Sequence, residues 1–541
     1  MRLPAAILAS LLLLAACPLA EDKPSQATPT ISSRSELVLV PTLVREKSGK
    51  PVAGLPWSDF TLLENGTERK IAVFEEVTTS TARPRRQSSP AGEFTNYLVN
   101  EPAPSRVTII VMDSINTQFA DRAYAHDEIL KFLKEMAGSN EPIALLLLDR
   151  EGVRVIHDFT TDPAVLAKAL RQLQTGTGAP VADSEESLAD PSAAHESQRL
   201  TNMMQNMEQN YLAGARMEAA LLTLDGLQQI ARAYGAIPGR KSVIWASGGF
   251  PFSIDNLSQI ISSGTVPTPS YMNDILPRYE RTWQILNDAN IALYPVDVRG
   301  LVTLAPSITS HGRRSSWLGH MDTISTFREF ASMTGGKAYV NTNDLTHAFH
   351  DAIEDSASYY MLGFYLPSDD RKPGWRKLQV KVKQTHLQVR ARSGFYVMPE
   401  DKDKDNTKYT DMALAMSSPL NFTSLPIQAR WIDTMPNGPK TRATFELLLA
   451  ADAATVDESD HNHLSVDFEA VAREPTGKIV ADNGRTVEGH LRPETVAKVR
   501  SSGITYKGGL DLPPGEYSVR FVVRDNLSGR VGSVAAPLTI H

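Results

Sequence analysis

From residue 106 the chain alternates wholly apolar runs with segments of helical period. VTIIVMD is the first such run, and RAYAHDEILKFLKEMAG follows it with apolar residues at helical spacing. PIALLLLD and GVRVIHDF read as strands, and DPAVLAKALRQL as a helix opened by Asp162 and Pro163. After a polar stretch, GTGAPVADSEESLADPSAAHESQ, read as a long loop, come the helix holding MEAALLTLDGLQQIARAY, the strand KSVIWASGGF and a helix near YERTWQILNDAN. The strand IALYPVDV, a helix through TISTFREFASMTGG, the strand KAYV and a helix from Asp344, NDLTHAFHDAIED, complete the series. Strands apolar on both faces and separated by helices predict a doubly wound, mostly parallel sheet over 106–357.

The flanks have a different period. ELVLVPTLV, DFTLLENG and KIAVFEEV, with turn signals at SGKPVAG and at Asn65 and Gly66, predict a small all-β unit over 33–77. Residues 78–105 are rich in Pro, Ser and Arg and read as a linker. Beyond the α/β segment, YYMLGFYLP, RKLQVKVKQ and HLQVRARSGFY alternate apolar with polar residues, which predicts an antiparallel extension over 358–397. The charged PEDKDKDNTK opens a second linker, 398–416. Over 417–541 the pattern is all β, with Leu464, Val466, Phe468 and Ala470 on one strand face and Tyr517, Val519, Phe521 and Val523 on another, and it predicts a β-sandwich. No repeat suggests a solenoid or propeller.

Composition narrows the function. A chain of 541 residues exceeds what a single core holds, so two or three domains are expected. Its 42% hydrophobic and 22% charged residues suit globular domains, and a formal net charge of -7 offers no general attraction to nucleic acid or anionic membranes. Residues 1–20 place one arginine before an apolar run that is shorter than the ~20 residues a spanning helix needs, the layout of a secretory signal. Leu14, Ala15, Ala16 and Cys17 resemble the lipobox of bacterial lipoproteins, which implies lipidation at Cys17; cleavage after Ala20, with Cys17 an incidental apolar residue, is the alternative. The chain is therefore expected to be exported to the cell envelope or periplasm, touching the membrane only through that lipid. Cys17 is the only cysteine, so no internal disulfide can form.

Several phrases, DSINT, GRKSVIWASGGFP, NIALYPVDVRGL, FASMTGGKAYVNTNDL and YYMLGFYLP, together with KSGKPVAGLPWSDFTLLENG, resemble bacterial proteins related to the von Willebrand factor A domain over roughly residues 35–397. The resemblance implies one divalent cation, magnesium or manganese, at the carboxyl edge of the sheet, held by a DxSxS loop with a threonine and an aspartate from two further loops. Here the loop reads Asp113, Ser114, Ile115, Asn116, Thr117, so Asp113 and Thr117 fit while Ile115 replaces an oxygen donor. Ser247, Gly248 and Gly249 stand where the acid belongs, and Arg216 and Met217 where the threonine belongs, with Thr223 farther along. Asp113, Thr117 and Ser247 are the candidate ligands of a degenerate site. A cation-free rim, in which Asp113 accepts backbone hydrogen bonds, is the reading set ahead of it.

Asp297 and Arg299 end another strand at the same edge, where ligands of open α/β sheets sit, or else form a local ion pair. The resulting expectation is a non-enzymatic binding or adhesion module that presents Ser114, Asn116, Gly248, Asp297 and Arg299 to a protein partner. Two alternatives stay open. Ser247 could act as a hydrolase nucleophile, although GxSxG is absent and no sequence argument sets His157, His311 or His320 beside it. A structural envelope component is the other. The cluster Asp457, Glu458, Ser459, Asp460, His461, Asn462, His463 matches no defined metal spacing and reads as a solvated connection between strands. There is no phosphate-binding loop after the first α/β strand.

Overall fold

A computed structural model describes residues 36–79, 90, 92–97, 106–173, 196–251, 272–301, 313–367, 370, 372–397 and 404–541. The signal segment 1–20, Cys17, His311 and most of 78–105 lie outside the described residues, as does the side chain of His320.

Three strands of the central sheet are runs of seven consecutive buried residues: β6 (Val107–Asp113), β9 (Lys241–Ser247) and β10 (Ile291–Asp297). With β7 (Ile143–Asp149) and β8 (Gly152–Thr160) they form a five-stranded sheet in the order β10-β9-β6-β7-β8. The first four strands run parallel, and β8 folds back on β7 as an antiparallel hairpin. Alternate side chains of β6 enter different cores. Val107, Ile109 and Val111 meet Leu224, Leu227 and Ile230 of α3 (Glu196–Tyr234), Trp283 of α4 (Met272–Asp288) and Phe327 and Phe330 of α5 (Arg313–Thr334). Ile110 and Met112 meet Ile129 and Phe132 of α1 (Phe119–Glu135), Leu166 of α2 (Pro163–Gln172) and Phe349 of α6 (Leu345–Glu354). Asp162 caps α2 by accepting from Ala164 N–H at 2.9 Å, with Pro163 at the first helical position, and Asp344 caps α6 through His347 N–H at 3.0 Å.

The remaining strands pair antiparallel across long stretches of sequence. β1 (Glu36–Arg45) lies between β11 (Ser358–Leu366) and β13 (Gln388–Ala391), and β4 (Val73–Thr78) lies on the far side of β11. β2 (Phe60–Glu64) joins β3 (Thr67–Arg69) to β12 (Gly374–Val382), which also pairs with β14 (Gly394–Val397). The segments 33–77 and 358–397, read separately in the sequence, thus share one core of Val38, Val40, Leu62, Leu362, Phe364 and Leu378. In the last unit, β15 (Ile427–Asn437), β16 (Lys440–Leu449) and β19 (Ile504–Leu512) form a sheet that takes β5 (Glu93–Thr95) as its edge. It faces a second sheet of β18 (Ile479–His490), β17 (His463–Arg473), β20 (Gly515–Asp525) and β21 (Val531–Ile540) across a core containing Phe445, Phe468 and Phe521. A helix, α8 (Pro493–Ser502), connects β18 to β19.

These pairings correct the expected fold class. The chain is mixed α/β but strand-rich, 43% strand against 29% helix, and among the described residues parallel pairing is confined to four strands of the central sheet, so a doubly wound, mostly parallel sheet does not describe the chain. Among the described residues four of the five sheets are wholly antiparallel, because the alternating flanks contribute far more strands than the four apolar runs that pair in parallel.

The charged stretch after 403 is also ordered: α7 (Lys404–Ser417) packs Met412 and Ala415 against Val522 and Val531. Its Asp411 is buried and accepts from Arg232 of α3 at 2.7 Å, Arg281 of α4 at 2.6 Å and Arg524 of β20 at 3.2 Å. Among the described residues no helix is long and apolar enough to cross a membrane.

Candidate functional site: the carboxyl rim of the central sheet

Register places Asp113, Ser247 and Asp297 in one row at the carboxyl ends of β6, β9 and β10, since Met112 pairs with Ala246 and Ser247 with Asp297. Asp113 is the hub. Its Oδ1 accepts from the backbone N–H of Ile115 at 2.8 Å and of Asn116 at 3.1 Å. Its Oδ2 accepts from Asn116 Nδ2 at 2.7 Å, Trp245 Nε1 at 3.1 Å and Ser247 Oγ at 2.7 Å. Burial pushes the Asp113 pKa up, and the bonds from Asn116, Ser247 and Ile115 oppose that rise.

The rest of the rim is closed in the same way. Asn116 Nδ2 also donates to Thr223 Oγ1 at 2.8 Å, and Thr223 donates to the Ala219 carbonyl of its own helix. Thr117 Oγ1 accepts from Gly248 N–H at 2.9 Å. Ile115 is buried in the core under the sheet, so its side chain faces away from the row of oxygens. Trp245 stacks on Phe330 at 5.8 Å between centroids, which lets a fully buried indole spend its N–H on Asp113.

The candidate ligands Asp113, Thr117 and Ser247 are therefore brought together, but they do not fit a hard cation. Magnesium needs a near-octahedral set of free oxygens. Here one carboxylate serves five donors, and the hydroxyls are committed to Asp113, Gly249 and Gly248. A hydrolase reading meets a similar obstacle: Ser247 is fully buried, and its hydroxyl bonds to Asp113 and the Gly249 carbonyl rather than to a histidine. His157 lies on β8, with Nδ1 2.6 Å from the Asp158 carbonyl oxygen.

Of the residues expected at a docking edge, Gly248 is buried, and a Cβ there would come within 2.7 Å of the Asn116 carbonyl. Asp297 is fully buried in a two-pronged pair with Arg299, Nε to Oδ1 at 2.9 Å and Nη2 to Oδ2 at 3.0 Å, the local ion pair weighed from the sequence. Ser114 is half-buried and donates to the Leu148 carbonyl at 3.1 Å.

Ser114 opens instead onto a cleft of about 280 Å³ between the ends of β6 and β7 and the helices α1 and α2. Asp113 and Thr117 form part of its wall, and Leu147, Ala246 and Leu173 give it an apolar bed. Three arginines line it: Arg122 of α1, Arg150 of the β7–β8 turn and Arg154 of β8. Arg122 is buried over the Phe119 ring at 5.9 Å; burial lowers its pKa and the Asp113 charge raises it. Arg154 is half-exposed and donates from Nε to Asp149 at 2.8 Å, while Glu151 shares the lip. The two-residue turn Arg150–Glu151, closed by Gly152 at φ +107°, holds these charges in place. Sequence reasoning did not single out this group. Its signal was DREGVR directly after LLLL, charges packed into a hairpin turn at a strand's carboxyl end. No family model and no curated protein matches the chain.

Proposed function

We propose that this chain is an exported binding protein that docks a protein partner at the rim of its central sheet, in the cleft beside Asp113. The observation that carries the reading is the cleft itself, with Arg122, Arg150 and Arg154 set among Asp113, Asp149 and Glu151 around an apolar bed. A desolvated guanidinium over an apolar floor suits a partner's carboxylate side chain, because the charge-assisted pair strengthens as water leaves. In this reading the Asp113 network supplies a rigid wall rather than a reacting group, and arginine takes the place of a metal as the positive element. Export and the resemblance to A-domain proteins rest on the sequence phrases and the signal-like residues 1–20.

The test is a photo-cross-linking residue at Ser114 in the native cell, with the same residue at the exposed Ile432 of the last unit as control. A defined protein captured at Ser114 and absent at Ile432 is the expected result. Identical capture at both positions, or none at Ser114, would overturn the proposal.

A further inference from the structure

The acidic and histidine-bearing turn before β17 gains a member from elsewhere in the chain. His463 at the start of β17 stands directly opposite His490 at the end of β18, their rings stacked with centroids 5.1 Å apart. Asp460 sits between three imidazoles: His490 Nε2 lies 3.5 Å from Oδ1, His463 Nδ1 3.6 Å from Oδ2, and His461 Nδ1 3.8 Å from Oδ1. These separations are longer than a good hydrogen bond. They are close to another length: ligand atoms held tetrahedrally on arms of about 2.0 to 2.1 Å stand roughly 3.3 Å apart.

We propose that Asp460, His461, His463 and His490 bind a borderline transition-metal cation, with Zn2+ as the natural occupant. Two further features support it. Glu488, two residues before His490 on β18, places Oε1 3.3 Å from Nε2 of His463, the nitrogen that does not face Asp460. A carboxylate behind the outer ring nitrogen is the arrangement that fixes tautomer and orientation in histidine–metal sites. The turn is also fixed in place. Asp457 accepts from Ser459 N–H at 3.0 Å, Asn462 bonds both ways with Leu491, and His461 and Asn462 hold positive φ of 49° and 59°.

Among the described residues no three such side chains already close on a common point. The side chains of His461, His490 and Asp460 are 90%, 58% and 54% exposed, so each is free to rotate without leaving a packed core. Imidazole with one carboxylate selects zinc, copper or nickel over magnesium and calcium.

The experiment is calorimetric titration of Zn2+ into the full chain without a histidine tag. One ion per chain is expected, with affinity falling at least tenfold in His463→Gln and in His490→Gln, and by about tenfold in Glu488→Gln. Glu458→Gln, a change in the same turn outside the ligand set, leaves affinity unchanged. Unaltered melting temperatures in the variants show that folding is intact. Absence of Zn2+ uptake, or uptake undiminished in the His463→Gln/His490→Gln double variant, would overturn the assignment.

Discussion

Replacing Asp411 by asparagine removes one charge and almost no volume, so it isolates the ionic node that ties α3 and α4 to α7 and β20. The Asp411 side chain is 2% exposed and meets Arg232, Arg281 and Arg524 at 2.7, 2.6 and 3.2 Å. At an effective dielectric near 20 each attraction is worth about 4 kcal/mol at 4 Å separation. Desolvation at several kcal/mol per ion, and repulsion among the three guanidiniums, offset much of that sum. The intact node therefore adds little net stability, but loss of its single anion leaves Arg232 and Arg524 buried and uncompensated. Burial already lowers the Arg232 pKa to about 10 despite Asp411. The expected cost of Asp411→Asn is about 3–5 kcal/mol. At ~2–4 °C per kcal/mol for a domain of this size, the melting temperature falls by roughly 6–20 °C in calorimetry. Arg281→Met is the contrast: its side chain is 23% exposed and its removal leaves Asp411 with two partners, so about 1 kcal/mol or less is expected. A shift below about 1 kcal/mol for Asp411→Asn, or an Arg281→Met variant equally damaged, would refute the reasoning.

Two other perturbations follow from named contacts. Glu469 on β17 lies over Gly484 of β18 with Asp482 and Asp467 nearby, and burial first, then those charges, push its pKa up to about 7. A raised carboxyl contributes stability below its unfolded value near 4.5 and loses it as pH rises through 7, so Glu469→Gln should raise the melting temperature at pH 8 and leave it nearly unchanged at pH 4.5; equal shifts at both pH values would rule this out. Gly248→Ala forces a Cβ to within 2.7 Å of the Asn116 carbonyl, whereas at Gly249 the nearest atom is the Thr323 hydroxyl at 3.3 Å. Chemical denaturation should show a loss of about 1–3 kcal/mol for Gly248→Ala and less for Gly249→Ala, and the reverse order would contradict the close packing of the rim.

The local elements were legible because their signals are local. VTIIVMD coincides with β6, IALYPVDV runs one residue past β10, and Asp162–Pro163 opens α2 as capping chemistry requires. Pairing was not legible. Leu37 opposes Tyr365 and Leu63 opposes Gln379 across about 300 residues, and alternation states only that a strand has a buried face, never which remote strand covers its edge. The fold class turns on that pairing, because the alternating flanks rather than the apolar middle supply most of the strands. KDNTKYTDMALAMS looked like a linker because its charges come first, yet Met412 and Ala415 dock it and Asp411 locks it. At the rim, the sequence marked Asp113, Thr117 and Ser247 as possible oxygen donors but could not show that Trp245 and two backbone amides already occupy the same carboxylate. Likewise His490 stood 27 positions from His463 in sequence and became its neighbour only through the β17–β18 register.

The central claim, that a closed, metal-free rim docks its partner through arginine, is tested most directly by measuring capture at the Ser114 cross-linker under two conditions. Excess EDTA should leave the captured band unchanged, whereas Arg154→Glu, a reversal at a half-exposed side chain of the cleft, should reduce it at least tenfold without altering the melting temperature. Capture abolished by EDTA and restored by Mg2+ or Mn2+, with Arg154→Glu still binding, would contradict the account.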